Sequence, residues 1–237
     1  GYGFPYGDGD LREGIALLRQ DAKENGKKLW FFGLLEEQKA WLEANYPGEF
    51  TYEASRDDAE YIYEAEKLAT YAGKKLHAKR NFCNRFEAAH PDWKFEPITG
   101  ENREAVLEFH SRWQTENEGS SEGLHKEACV VRCALREMDE LEMTGGVLTA
   151  GGRIYGFAVA SMINEALMDE NIEKADGEEP GAYPMVCREM AKMMREKYPA
   201  LTLINREEDT GDEGLRRSKE SYSPVMLLQK YVTREVG

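Results

Sequence analysis

The chain has 237 residues, 41% hydrophobic and 32% charged, which excludes a disordered polymer and is enough for one large core or two smaller domains. Its formal net charge of −14 disfavours general nucleic-acid or anionic-membrane binding, because the field of the whole protein would repel phosphates. The apolar runs at 29–35 and 225–228 are far shorter than the roughly 20 residues that span a bilayer. We expect no membrane insertion, no secretion leader and a cytoplasmic location.

Cysteine and histidine spacing gives no sign of a metal site. The four cysteines form no Cys-x-x-Cys pair and the four histidines show no ligand spacing. A chain of this size rarely needs disulfides, so we expect reduced thiols and no zinc.

The first third of the chain predicts a helix, a buried strand, a short helix and two alternating strands. In order, these are 11–28, 29–35, 36–46, 49–55 and 60–66. A basic segment at 73–86 follows as a linker helix, and 88–99 combines two prolines with a short strand.

The remainder predicts two helices, a hairpin, a strand, a helix, a strand, a short helix and a closing strand. In order, these are 101–116, 122–142, 145–162, 166–175, 181–198, 201–205, 215–222 and 225–232. Ser121 is a good N-cap for the second helix, and Leu124 begins its apolar stripe. Glycines at 151–152 supply the positive φ that a tight hairpin needs.

The order helix, strand, helix, strand occurs near both ends of the chain, which indicates an internal duplication. We expect a partial N-terminal copy with its linker helix at 1–94 and a complete copy at 95–237. Repeated helix and strand units without duplication remain the alternative, since the similarity is one of pattern.

Polar side chains follow two of the predicted strands. IEKAD ends the strand before the long helix, and INREED ends the strand after it. If the strand ends converge, their acids can act as bases, tyrosines as acids and the following basic helix as an anion site. The candidates are Glu173 and Tyr222 as catalytic groups and Asp176, Tyr183, Asn205, Arg206, Glu207, Glu208, Asp209, Arg216, Arg217 and Lys219 as substrate-binding groups. A structural salt-bridge network is the alternative for the second segment.

The basic segment before residue 86 allows two interpretations. Lys74, Lys75, Lys79 and Arg80 can contact phosphates, for example those of a tRNA. The alternative is a solvated or internally paired helix.

Several long sequence words carry a family resemblance: GKKLHAKRNFCNRF, DENIEKADGEEPGAYPM and INREEDTGDEGLRRSKESYSP. They resemble a bacterial family of tandem GNAT-like proteins related to the C-terminal domain of phosphatidylglycerol lysyltransferase. The resemblance implies an α+β fold of layered α/β type, with two GNAT-like mixed-sheet units of which the first lacks its front half here. It also implies acyl or aminoacyl transfer, with a charged tRNA as donor and a lipid or small molecule as acceptor.

One segment departs from the pattern of GNAT enzymes that use acetyl-CoA. Such enzymes hold the pyrophosphate on amides that open the helix after the central strand. Here the loop at 176–181 carries three acids and a proline, so acetyl-CoA is disfavoured and the cofactor is left open. The alternative function is a non-catalytic ligand-binding or scaffold protein that retains the fold.

Overall fold

A computed structural model describes residues 1–117 and 122–236, and for residues 122–126 it describes the backbone alone. The chain forms two compact units. The smaller unit contains Gly1–Glu60, Glu208–Arg216 and Leu227–Gly237, and the larger unit contains Tyr61–Glu207 and Arg217–Met226. The predicted boundary between residues 94 and 95 concerns duplicated copies, not compact units, and stays a prediction.

The described residues form eight helices and ten strands. The helices are α1 Leu11–Glu24, α2 Glu36–Asn45, α3 Ala65–Thr70, α4 His77–Ala89, α5 Arg103–Asn117, α6 Glu122–Arg136, α7 Ala182–Lys197 and α8 Glu213–Glu220. The strands are β1 Trp30–Leu34, β2 Phe50–Ala54, β3 Glu60–Glu64, β4 Lys94–Pro97, β5 Thr144–Ala150, β6 Arg153–Asn164, β7 Leu167–Ala175, β8 Leu203–Asn205, β9 Met226–Leu228 and β10 Tyr231–Glu235.

A seven-stranded mixed sheet has the order β4-β5-β6-β7-β8-β3-β9, and its first five strands in this order lie wholly in the larger unit. β7 and β8 run parallel and are connected through α7. The pairs β4–β5, β5–β6, β6–β7 and β3–β8 are antiparallel. Buried residues of α7, including Met185, Val186 and Met190, pack on one face. Residues of α5 and α6, including Val106 and Leu135, pack on the other.

The smaller unit is built on a three-stranded antiparallel sheet in the order β1-β10-β2. Its core joins Ile15 of α1 and Leu42 of α2 to Phe31 and Phe50 of the sheet. The last strand of the chain therefore lies between two strands from its first quarter.

Most of the predicted elements occur close to their predicted bounds, including the hairpin of β5 and β6. The single closing strand predicted at 225–232 is wrong: the chain forms β9 and β10 there, and the Gln229 side chain donates to the carbonyls of Ser55 and Lys230 at the break. The strands predicted at 49–55 and 60–66 lie in different sheets. The predicted N-cap Ser121 and the side chain of Leu124 lie outside the described residues.

Candidate functional site

A β-bulge in β7 places two glutamates on one face of the sheet. Val159 pairs with Ile172 and Ser161 with Asp169, so β7 carries one extra residue between these pairs. Simple alternation would put Glu170 and Glu173 on opposite faces. With the bulge, both face Cys187 of α7, and the ligand atoms of the three residues lie within 4.8 Å of one another.

Arg206 bridges these two glutamates from the neighbouring segment. β8 pairs with β7 only as far as Asn205, after which the backbone of Arg206 donates to the Tyr61 carbonyl at 3.0 Å. The guanidinium reaches back, with Nε 2.5 Å from a Glu170 oxygen and Nη2 2.6 Å from a Glu173 oxygen. Glu173 and Arg206, both predicted from sequence, are therefore in contact where the strands diverge.

Two tyrosines and a lysine enclose this arrangement. The guanidinium of Arg206 lies 4.7 Å from the ring centre of Tyr222 and 5.7 Å from that of Tyr63. The ammonium of Lys79, from α4, lies 3.7 Å from the Tyr222 ring centre. We call Glu170, Glu173, Arg206, Tyr222 and Lys79 the Glu173 cluster.

Burial dominates the ionisation of this cluster. It raises the pKa of Glu173 from 4.5 to about 8, with the charge of Glu170 adding to the effect and that of Arg206 opposing it. Burial also raises the pKa of Tyr222 and lowers the pKa of Lys79. A carboxyl with such a pKa exchanges a proton near neutral pH, which suits a general acid or base.

Two further predicted residues hold the backbone on either side of Arg206. The Asn205 side chain accepts a hydrogen bond from the Glu207 amide at 2.9 Å, and the Lys219 ammonium donates to the Arg206 carbonyl. Both side chains are buried. Their contacts fix the position from which Arg206 reaches the glutamates.

Three predicted residues belong to the smaller unit, and two of them, Asp209 and Arg216, form an ion-pair network there. Asp209 is fully buried and accepts from Arg56 at 3.1 Å and from two nitrogens of Arg216 at 2.9 and 2.8 Å. Arg216 also contacts Asp57 at 2.7 Å, and its hydrogen bonds to Asp209 raise its pKa. Glu208 lies in the same unit. For Asp209 and Arg216, these contacts are those of the structural salt-bridge alternative.

The predicted phosphate contacts in the basic segment have unequal surroundings. Lys74 and Lys75 are exposed just before α4. Lys79 instead covers Tyr222, and Arg80 donates to the Tyr71 carbonyl at 2.7 Å. Two of the four cations are therefore directed into the protein.

The loop before α7 is closed by internal contacts. Asp176 accepts from the Glu178 amide at 3.0 Å and pairs with Arg153. Gly181, at φ 100°, packs so tightly on α4 that a Cβ there would lie 2.4 Å from the carbonyl oxygen of Phe82. Tyr183 follows in the first turn, and burial raises its pKa.

Sequence reasoning missed Glu170 and Tyr63 and gave Lys79 a different role. Glu170 was missed because an unbroken strand would point it away from Glu173, and no sequence signal marks the bulge. The Glu170, Glu173 and Cys187 atoms are close enough to share a metal ion, but the Arg206 guanidinium already contacts both carboxyl groups. Arg217, also predicted for the site, lies in α8 and belongs to the larger unit.

Comparison with solved structures defines the class of fold. A tandem GNAT protein from the clavulanic acid biosynthesis pathway superposes with a TM-score of 0.51 at 8% identity, over 95% of this chain and 69% of that one. The L-PGS structure from Bacillus licheniformis gives 0.65 at 17% identity, over 93% and 71%. The mixed seven-stranded sheet with helices on both faces is therefore a GNAT-like fold.

The chain belongs to the family described as phosphatidylglycerol lysyltransferase, C-terminal, whose model matches residues 1–234. A conserved protein of unknown function from Bacteroides thetaiotaomicron is 37% identical with a TM-score of 0.92, over 97% of this chain and 77% of that one. An uncharacterised protein of Mycoplasmoides gallisepticum is 24% identical over 197 residues. The match covers 83% of this chain and only 61% of that relative.

The residues present do not fit the acetyl-CoA that a GNAT-like fold implies. The helix whose opening amides would face a pyrophosphate begins beside Asp176, Glu178 and Glu179, and α4 packs on Gly181, its N-cap. Negative charge and a covering helix both oppose a bound pyrophosphate.

No helix of the described ranges, 1–117 and 122–236, has the length and apolar content needed to cross a membrane.

Proposed function

We propose that this chain transfers an aminoacyl group from a charged tRNA to a lipid or small-molecule acceptor, with Glu173 as the proton-transfer group. The observation that carries the proposal is a buried carboxyl whose pKa is raised to about 8, where β7 and the chain after β8 diverge. Membership of the phosphatidylglycerol lysyltransferase family supports the reaction class.

The chemistry needs one proton carrier. The acceptor's amine or hydroxyl attacks the aminoacyl carbonyl, the ester bond to the ribose breaks, and the leaving oxygen takes up a proton. The acceptor loses one proton in the same reaction. A carboxyl whose pKa lies near the working pH can donate a proton to the leaving ribose oxygen and accept the proton that the acceptor loses. Glu173 is therefore in the same protonation state before and after each reaction.

The other members of the cluster position Glu173. Arg206 holds its carboxyl by a hydrogen bond, and Glu170 on the same guanidinium helps to keep the proton on Glu173. Tyr222 stays protonated and can donate to an oxyanion. In this proposal Lys74 and Lys75 are the accessible cations for tRNA phosphates.

The test measures transfer of a labelled aminoacyl group from aminoacyl-tRNA to candidate acceptors. We expect Glu173→Gln to lower transfer by at least the roughly hundredfold typical of a proton-transfer group, while the exposed control Glu165→Gln keeps wild-type rates. A Glu173→Gln protein that transfers normally would contradict the assigned role.

The rival is a non-catalytic ligand-binding or scaffold protein, favoured by the Asp209 network and by the poor fit to acetyl-CoA. Thermal-shift measurement separates the two, because a ligand at a hundred times its dissociation constant stabilises by about 2.7 kcal/mol. Stabilisation by aminoacyl-tRNA with no turnover would support the binder. No response to any donor would support the scaffold.

A further inference from the structure

The groove between α5 and α6 holds three arginines that take part in no ion pair within the described part of the chain. It has a volume of about 420 Å³ and is lined by Arg112, Arg132 and Arg136, by Glu104 and Glu108, and by Ser111. It lies on the layer opposite α7, away from the face that carries Glu173. Nothing in the proposed transfer reaction uses it.

More than half of the sixteen arginines in this acidic protein pair with a carboxylate, whereas the three of the groove, like Arg12, Arg80 and Arg85, show no carboxylate partner among the described residues. Nine other arginines have a carboxylate within 4.0 Å: Arg19, Arg56, Arg103, Arg153, Arg188, Arg195, Arg206, Arg216 and Arg234. Glu108 is four residues before Arg112 on the same helix, a spacing that favours pairing, yet the two do not pair. The guanidiniums of the groove therefore keep their capacity to bind an external anion.

Local contacts orient Arg132 without neutralising it. One of its nitrogens lies 3.2 Å from the Cys129 sulfur and the other 3.5 Å from the Gln114 side-chain oxygen. Arg136 follows one turn later, about 6 Å along the helix axis. Arg132 and Arg136 of α6 and Arg112 of α5 line the same groove, and guanidinium groups are well suited to bind phosphate oxygens.

We propose that this groove binds a single phosphate group of a small phosphate ester. Glu104 and Glu108 favour a ligand with one phosphate over a polyanion, because they would repel the next phosphates of a nucleic-acid strand. They can instead accept hydrogen bonds from hydroxyl or ammonium groups on the ester. The ester is either free or the head group of a lipid.

Titration of the full chain with inorganic phosphate and with glycerol phosphate tests the proposal. We expect saturable binding that Arg132→Gln and Arg136→Gln each weaken by about tenfold, because each removes one charge-assisted contact. Arg234→Gln, an exposed arginine of the smaller unit, is the matched control and should bind as the wild type does. Unchanged binding by both groove variants would overturn the proposal.

Cysteine alkylation supplies a second measurement. Cys129 and Cys133 are exposed on α6, and Cys129 contacts Arg132 directly. Phosphate bound to Arg132 should slow alkylation of Cys129 more than that of Cys133, and Arg132→Gln should abolish the difference. Equal protection of both thiols would contradict the assigned position.

Vesicles of anionic phospholipid and a short RNA identify the source of the phosphate. Competition between glycerol phosphate and vesicles for the groove supports a lipid head group, and glycerol phosphate binding without such competition supports a free ester. Binding of RNA alone, with a steep dependence on salt, would overturn the proposal in favour of a polyanion site. Aminoacyl transfer is measured separately, so failure here leaves the role of Glu173 untouched.

Discussion

Glu173 and Arg206 show how one residue's environment can override its ordinary chemistry. An exposed glutamate beside an arginine would lose its proton readily, because the cation favours the charged form. Here burial outweighs that attraction, and the pKa of Glu173 rises to about 8. The carboxyl therefore stores a proton at neutral pH, while Glu170 supplies the negative charge that Arg206 needs.

This raised pKa predicts how stability depends on pH. Below the ordinary pKa of 4.5, Glu173 is protonated in both the folded and unfolded states. Between there and about 8 only the unfolded state releases the proton, so stability falls as the pH rises. Glu173→Gln should remove this loss, on the order of 2–4 kcal/mol between pH 5 and pH 8. Urea unfolding at both pH values measures it, and equal pH slopes in wild type and variant would contradict the prediction.

Arg206 predicts a second effect, on the free energy of unfolding at neutral pH. Arg206→Met removes the cation that contacts the buried Glu170 and Glu173, which should cost about 3–5 kcal/mol. Adding Glu170→Gln should restore part of that loss, because one buried charge is then removed. A double-mutant cycle by chemical unfolding isolates the coupling. Additive losses in the double variant would show that the pair does not interact.

At the scale of elements, the sequence predicted more of the fold than of the site. Periodicity placed the helices and the hairpin, since each buries one face. It missed the break between β9 and β10, where the Gln229 side chain donates to the backbone carbonyl of the distant Ser55. It also missed the bulge at Glu170, because a bulge depends on the pairing of β7 with β6 and leaves the composition of β7 unchanged. The sequence predicted Glu173 and Arg206 as candidate site residues because both follow apolar strand residues.

The junction of α4 and α7 yields a prediction with a control in the same loop. Gly181 has φ 100° and no room for a Cβ against the Phe82 carbonyl, so Gly181→Ala should destabilise by about 1–3 kcal/mol. Gly177 has open space around its Cα, and Gly177→Ala should be nearly neutral. Thermal unfolding of the two variants gives the comparison, and equal melting temperatures would show that α4 does not pack on Gly181.

At the scale of the molecule, the chain's two ends are tied together in the smaller unit. β10 pairs with β1 on one side and β2 on the other, so these two early strands are joined into one sheet only through β10, although β1 also bridges to Tyr2. Contacts of such large sequence separation form late, since the loop must close first. The sheet of the smaller unit can therefore form only once residues 231–235 are present.

Thr233, in the middle of β10, tests this arrangement. Its side chain is fully buried, and its hydroxyl has no hydrogen-bond partner among the described residues. Thr233→Val should therefore be neutral or stabilising, because it removes an unsatisfied polar atom and keeps the shape. Thr233→Pro removes a backbone donor from a central strand and should cost about 3 kcal/mol or more. Hydrogen exchange should then rise in β1 and β2 on opposite sides of β10. Unchanged hydrogen exchange in both β1 and β2 of the Thr233→Pro variant would mean that β10 does not join these strands.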